Sequence, residues 1–353
     1  MNDDAQIQDW TQVEPVIEAQ LRPSHLRGFV GQQRIRTNLE VYIAAARQRE
    51  GSLDHVLFHG PPGLGKTTLA HIIATELAVP LTLASGPALD KPKDLAALLT
   101  QVAPRGVLFI DEIHRMPTQV EEILYSAMED FEIVIMVGEG PTARSVKLPL
   151  QPFTLVGATT RASLLSKPLR DRFGIREKLD YYDHLELREI LATNAAKLEL
   201  DLHSDLLEAL SRRSRGTPRI AIQLLKRVRD FVEVQGEPQT EAARHALFER
   251  IGVDVRGLLP LDREFLATLA HKFNGGPTGL STLAAAMGED GDTLESYVEP
   301  YLIREGFVER TPRGRRLTLR GYEHMGLAVP LGLAGQQPNL FVASDPESES
   351  DGA

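Results

Sequence analysis

The run His55-Val-Leu-Phe-His-Gly-Pro-Pro-Gly-Leu-Gly-Lys-Thr-Thr68 leaves this chain few options. Val56, Leu57 and Phe58 form an apolar segment short enough for a buried strand, which breaks at Gly60 into a loop of glycine and proline. An amphipathic segment then opens at Lys66 and reaches Leu77. Gly60-x-x-x-x-Gly65-Lys66-Thr67 is the spacing of a phosphate-binding loop between a strand and a helix. Its glycines, Gly63 and Gly65 among them, let backbone N–H groups converge on phosphate oxygens, and the helix start adds its positive end. In that geometry Lys66 reaches the β and γ phosphates of ATP and Thr67 offers a hydroxyl to Mg²⁺. A glycine-rich turn that binds nothing would need neither the strand before it nor the helix after it.

Such a loop needs an acidic partner. Val107-Leu-Phe-Ile-Asp-Glu112 is an unbroken apolar strand ending in two carboxylates, as expected in a parallel sheet buried on both faces with its chemistry at the strand ends. Asp111 is placed to hold the Mg²⁺ shell and Glu112 to polarise the attacking water. His55 and His59, four apart on a strand, stand roughly 13 Å apart, too far to share a metal. His114 reads as packed beside the site.

The rest of the chain supplies strands alternating with helices, an α/β doubly wound parallel sheet. Strands are expected near Leu81 to Ala84, over Phe153 to Thr160 and over Lys178 to Tyr182, with helices over Asp94 to Val102 and Ile113 to Asp130. Glu132 to Val137 and Ala143 to Leu148 flank Gly138-Glu-Gly-Pro141, the pattern of a hairpin over about 132–148 whose first arm is apolar on both faces. Such an arm either docks on its own domain or faces a partner. Residues 183–255 have a helical period throughout, a small lid domain after a large domain of residues 21–182. From 256 to 326, three helical patterns precede Phe307 to Leu319, a hairpin with a Pro/Gly tip: the layout of a winged helix. Six Arg against two Glu lie between Arg304 and Arg320, suited to backbone phosphates of duplex DNA.

Composition narrows the classes. The 353 residues contain no cysteine, so disulfides and thiolate metal sites are excluded. No apolar stretch is long enough for a membrane span, and the acidic start Met1-Asn-Asp-Asp-Ala lacks a secretory core, so a cytoplasmic protein is expected. The net charge of −10 sits in two tails, residues 1–20 and 327–353, which together hold nine acids and no Lys or Arg. The remainder is nearly balanced, and a local basic patch can dominate its surface. Both tails are expected to be disordered.

Taken together, Gly60-Pro-Pro-Gly-Leu-Gly-Lys-Thr-Thr-Leu-Ala70, Asp111-Glu-Ile-His-Arg115, Val137-Gly-Glu-Gly-Pro141, Gly157-Ala-Thr-Thr-Arg161, Leu169-Arg-Asp-Arg-Phe-Gly-Ile175, Arg215-Gly-Thr-Pro-Arg-Ile-Ala221 and Arg310-Thr-Pro-Arg-Gly-Arg315 resemble the bacterial RuvB family over residues 20–326. These are AAA+ motors of Holliday-junction branch migration. The first two motifs speak only for AAA+; the hairpin and the terminal arginine motif speak for the member. The resemblance implies that Leu21, Arg22 and Tyr182 line the base side of the nucleotide, with Thr68 and the Glu129-Asp130-Phe131 turn also at a nucleotide. By the same resemblance Thr160 is the first sensor, Arg219 the second, and Arg172 the finger that reaches a neighbouring subunit's γ-phosphate. It further implies that Arg310, Arg313 and Arg315 contact DNA, that six copies ring duplex DNA at a four-way junction, that the hairpin docks a RuvA tetramer, and that a RuvC-type resolvase acts nearby. The acidic tail departs from the family pattern. Its Gln337-Pro-Asn-Leu-Phe341 resembles a sliding-clamp-binding peptide, against a chance Leu-Phe pair. Two other readings remain open, an AAA+ loader that uses ATP as a switch and a nucleotide-regulated scaffold without turnover.

Overall fold

A computed structural model describes residues 20–137, 144–238 and 240–330. The chain divides into two compact units, residues 1–247 and 248–353. The division falls inside the helix Glu241–Ile251, ahead of the change of pattern near residue 256.

The first unit is built on a five-stranded parallel sheet in the order β2-β3-β6-β1-β7. Its strands are β1 (Val56–His59), β2 (Leu81–Ser85), β3 (Val107–Asp111), β6 (Thr154–Thr159) and β7 (Ile175–Lys178). The apolar runs of β3 and β6 lie at its centre, where every residue of β6 and the first four of β3 are buried. Helices Gln33–Gln48, Lys66–Leu77, Pro92–Gln101 and Thr118–Glu129 cover the sheet. Leu95, Leu99, Val120, Leu124 and Ala127 pack with Leu108, Ile110 and Leu155 in one cluster. Removing such apolar surface from water is worth about 25 cal/mol per Å², so this face of the sheet is a main source of stability.

Two expected elements shift. The segment from Ile113 to Asp130 is a short 3₁₀ turn, Ile113–Arg115, and then a helix from Thr118. Pro117 separates them because its ring disfavours helical backbone in the residue before it. The last strand is Ile175–Lys178, ahead of the expected Lys178 to Tyr182. Its alternation of Ile175 and Glu177 inward with Arg176 and Lys178 outward marks a sheet edge, and buried Glu177 is held by Arg34 at 2.6 Å and Asn38 at 3.0 Å. Beyond Lys178 the backbone leaves the sheet, and Tyr182 N donates to Gly216 O in the lid at 3.0 Å.

Between helix Thr118–Glu129 and β6 stands an antiparallel hairpin of β4 (Glu132–Val137) and β5 (Arg144–Pro149). Its base is anchored: Ile133 is buried and Leu148 packs on the sheet's core. Farther out Val134 and Val146 are 43% and 37% exposed. They lie on opposite faces, since Val134 pairs with Lys147 and Val146 with Ile135. The hairpin tip, residues 1–19 and residues 331–353 with Gln337 to Phe341 fall outside the described residues; at the start of the expected disordered tail, Leu327 and Val329 instead pack against the core of the second unit.

The lid comprises helices His184–Lys197, Ser204–Arg213, Pro218–Gln235 and Glu241–Ile251. A reciprocal cap starts the first: Glu186 N donates to Asp183 at 2.8 Å and Asp183 N to Glu186 at 3.0 Å. The second unit has helices Pro260–Ala267 and Leu280–Met287 and a helical run from Gly291 to Arg304, closed by the hairpin β8 (Val308–Thr311) and β9 (Gly314–Leu317). Phe265, Leu269, Leu283, Leu294, Leu302 and Phe307 form its core. An exchange of hydrogen bonds between Thr278 and Arg315 forms an isolated antiparallel bridge to β9, completing a winged helix.

Candidate functional site

At the C-terminal edge of β1 the chain turns through Gly60 to Gly65 before helix Lys66–Leu77 begins. Only glycine serves at Gly60 and Gly63. Their φ values are +143° and +80°, and a Cβ at Gly60 would meet Leu179 O at 2.5 Å. At Gly63 it would meet Thr217 and Arg219 at 2.8 and 2.9 Å. The loop is thus clasped between the sheet and the lid, and Arg219 N donates to Gly63 O at 3.3 Å.

Lys66 is buried and folds back over the loop, donating to Gly60 O and Pro61 O, each at 2.9 Å. Burial pulls its ammonium below the ordinary lysine value; the charges of Glu112 and Asp111 oppose this and Arg219 reinforces it. Those four residues therefore surround one centre. Thr67 and Thr68 occupy the first helical turn, both half-buried. Asp111 ends β3 beside Ser85 of β2, with one carboxylate oxygen accepting from Glu112 N at 2.9 Å. Glu112 has a left-handed backbone, φ +46°, a conformation a non-glycine residue holds only where its surroundings enforce it. Thr160 Oγ1 donates to its carboxylate at 3.2 Å, and His114 Nδ1 lies 3.1 Å from the same oxygen. That agrees with the expectation that His114 packs beside the site, and its place two residues after Glu112 brings it there.

The residues expected on the base side lie along the loop's other flank. Leu21 is buried, with Arg22 exposed beside it; the Tyr182 hydroxyl donates to Leu64 O at 3.1 Å, and burial pushes the phenol's pKa up. Phe29, which sequence reasoning passed over, packs its ring against Gly65. A cleft of about 400 Å³ lined by His25, Glu40, Arg47 and Glu76 lies at the far end of the loop's helix and includes none of these residues. Donors, glycines and carboxylates converge instead at the loop.

The structure does not bring Arg172, Glu129, Asp130 and Phe131 to that centre. Helix Thr118–Glu129 runs back across the sheet, so its end reaches the N-terminal edge of the strands, where His55 Nε2 contacts Met128 O at 3.1 Å. Phe131 meets His55 at a tilt and Phe153 edge-on there, at centroid distances of 6.4 and 5.9 Å. Arg172 precedes Phe173-Gly174-Ile175, which enters β7 at the same edge. Its guanidinium pairs with Glu129 at 2.9 Å, donates to Pro168 O at 2.9 Å and lies 4.6 Å from the centre of the Tyr125 ring. The length of β1, roughly 13 Å, separates this group from the phosphate loop.

In the second unit the wing residues differ among themselves. Arg313 is exposed at the hairpin tip. Arg310 and Arg315 instead both bond the buried carboxylate of Glu299, Arg310 through Nε at 2.9 Å and Arg315 through Nε at 2.6 Å. Sequence reasoning read these arginines as free for phosphate and missed their acidic partner. The signal was Glu295 and Glu299, one helical turn apart just before the arginine-rich hairpin.

Comparison with known proteins agrees domain by domain. Residues 21–179 match the Holliday junction DNA helicase RuvB P-loop domain, residues 182–254 the RuvB AAA lid domain, and residues 255–326 the RuvB C-terminal winged helix domain. Among solved structures, the Thermotoga maritima RuvB Holliday junction branch migration motor is 47% identical, covering 88% of this chain and 100% of that one with a TM-score of 0.79. A singly substituted form of the same protein is 46% identical with the same coverage and TM-score. With its phosphate loop, acidic pair, lid and wing each in the matching domain, the chain belongs to the RuvB family of AAA+ ATPases, the motors of Holliday-junction branch migration.

Proposed function

We propose that this chain hydrolyses MgATP at sites shared between neighbouring copies in a hexameric ring, and uses the cycle to pull duplex DNA from a four-way junction. The observation that carries this reading is the separation of the machinery. Lys66, Thr67, Asp111, Glu112, Thr160 and Arg219 surround one loop, whereas Arg172 stands at the opposite edge of the sheet. A cation that far from its own phosphate loop serves hydrolysis only at another copy's site, which a head-to-tail ring supplies.

The residues fit the group they would hold. Positive-φ glycines, a helix start and a buried lysine form a cradle for phosphates, while Thr67 and Asp111 are the oxygen ligands a nucleotide-bound Mg²⁺ takes. When bound, the metal neutralises charge developing on the β and γ phosphates. Glu112 takes the proton of the attacking water, oriented by Thr160 through their hydrogen bond. Arg219 follows Gly63 as the lid moves, since its backbone bonds the loop directly. Leu21, Arg22, Phe29 and Tyr182 flank the base. In the ring, Glu129, Asp130, Phe131 and Arg172 face the neighbour's nucleotide, and Glu129 holds the finger until the γ-phosphate competes for it.

The exposed valines of the hairpin support docking of a RuvA tetramer there, and a RuvC-type resolvase would act on the same junction without touching this chain. A cytoplasmic site of action follows from action on junction DNA; separately, among the described residues no helix is long and apolar enough to cross a membrane. The test is dissociation of a synthetic four-way junction. Sustained turnover requiring ATP, Mg²⁺ and RuvA supports the motor; one round of DNA binding per ATP, without continuing hydrolysis, would point to a loader.

A further inference from the structure

Glu299 is 0% exposed, yet it accepts from four guanidinium N–H groups. Arg310 donates to one carboxylate oxygen through Nε at 2.9 Å and Nη2 at 2.5 Å. Arg315 spans both oxygens, with Nε at 2.6 Å and Nη2 at 3.1 Å. Glu295, one turn earlier, lies 3.2 Å from Arg310 and 3.9 Å from Arg315. The two arginines are directly opposite each other in the wing's register. Arg315 is further pinned by its backbone, which exchanges hydrogen bonds of 2.9 and 2.8 Å with Thr278.

The exposures separate the two. The Arg315 side chain is 15% exposed and that of Arg310 48%. A bidentate carboxylate fixes the plane of a guanidinium as well as its position. A buried carboxylate that loses its cations bears an uncompensated charge, so neither arginine is free to swing out to a distant phosphate. Each pairs through its Nε and Nη2, and Nη1 of the half-exposed Arg310 remains for a ligand.

We propose that Glu299 is a positioning residue of the DNA-binding wing: it fixes Arg315 as an internal strut and holds Arg310 with Nη1 turned outward to a backbone phosphate, beside the exposed tip contact Arg313. This rests on the reading of the wing as a DNA-binding element. Glu295 completes the charge balance at the rim, so the cluster of two acids and two arginines is neutral, and the net attraction for DNA at the tip comes from Arg313.

Coulomb's law and positioning predict opposite signs for one substitution. Glu299→Gln removes a negative charge close to DNA, and if Glu299 only neutralises, affinity should rise. If it positions, affinity should fall despite the added positive charge, and the slope of log affinity against log salt should lose roughly one phosphate contact. The experiment measures binding of the full-length protein to a duplex of arbitrary sequence across a salt series by fluorescence anisotropy, with melting temperature recorded for each variant. The expected result for folded Glu299→Gln is about a tenfold loss and a shallower slope, less than additive with Arg310→Ala. Equal or tighter binding overturns the proposal. If Glu299→Gln does not fold, Arg315→Lys carries the same test, keeping the charge but losing the fork. A direct phosphate contact tolerates lysine, so unchanged affinity there overturns the strut, and lost affinity supports it. Should Arg310→Ala and Arg313→Ala together leave DNA binding untouched, the failure lies with the DNA-binding reading of the wing and the proposal falls with it.

Discussion

Glu112 and His55 show how single residues are set by where their strands end. Glu112 follows β3 at the edge that meets the phosphate loop, and its left-handed backbone holds the carboxylate against Thr160. Glu112→Gln keeps that shape and loses the base. Turnover should fall by about 10²-fold or more while ATP affinity is unchanged, as read by single-turnover kinetics and nucleotide titration; a matching loss of affinity would contradict the role. His55 stands at the other edge with both nitrogens committed: Leu155 N donates to Nδ1 at 2.9 Å, which leaves Nε2–H for Met128 O. Burial pushes its pKa below the ordinary 6.5, with the Met128 carbonyl and the Asp54 charge opposing. The folded state thus binds fewer protons than the unfolded one. The stability this group contributes is complete above pH 6.5 and is lost as pH falls below that value through the lower folded one. The melting-temperature gap between the wild type and His55→Gln should therefore narrow from pH 7.5 to about 5; a constant gap would show that protonation is not involved. Glu112 could be read from its neighbours in the chain, whereas the role of His55 depends on Met128 and Leu155, distant in sequence.

Among the elements, those with a strong local signal were legible and those set by distant contacts were not. The phosphate loop, β3 and the wing hairpin carry glycine, proline or apolar signatures within a dozen residues. The edge strand Ile175–Lys178 reads as charged because its partners, Arg34 and Asn38 for Glu177, lie on a helix more than a hundred residues earlier. Likewise the carboxylate that Arg315 bonds, Glu299, lies on the helix before the hairpin and outside the arginine-rich motif. The hairpin β4–β5 was legible as a hairpin, but its apolar arm left core and interface open. The structure divides the arm, with Ile133 inside and Val134 outside, and Val146 on the second strand is outside as well. Changing both valines to Ser should leave the melting temperature nearly unchanged, since exposed substitutions shift stability by only about 0.5 kcal/mol each, while weakening capture by immobilised RuvA. A loss of a few kcal/mol would mean that the valines pack internally.

At the scale of the whole molecule, the charged groups are divided along the sheet. The loop end gathers Lys66, Asp111, Glu112 and Thr160, and the opposite end carries Arg172 on Glu129 and Tyr125. On the proposed reading a single chain is an incomplete enzyme, and activity should follow the copies that lie side by side. The most direct measurement mixes two inactive variants. Arg172→Ala retains an intact phosphate loop, and Lys66→Ala retains an intact finger; each alone should lose ~10³-fold or more in hydrolysis. In rings shown by native mass spectrometry to contain both, the account predicts that hydrolysis recovers at interfaces joining the intact loop to the intact finger. Verified mixed rings without recovery would contradict it.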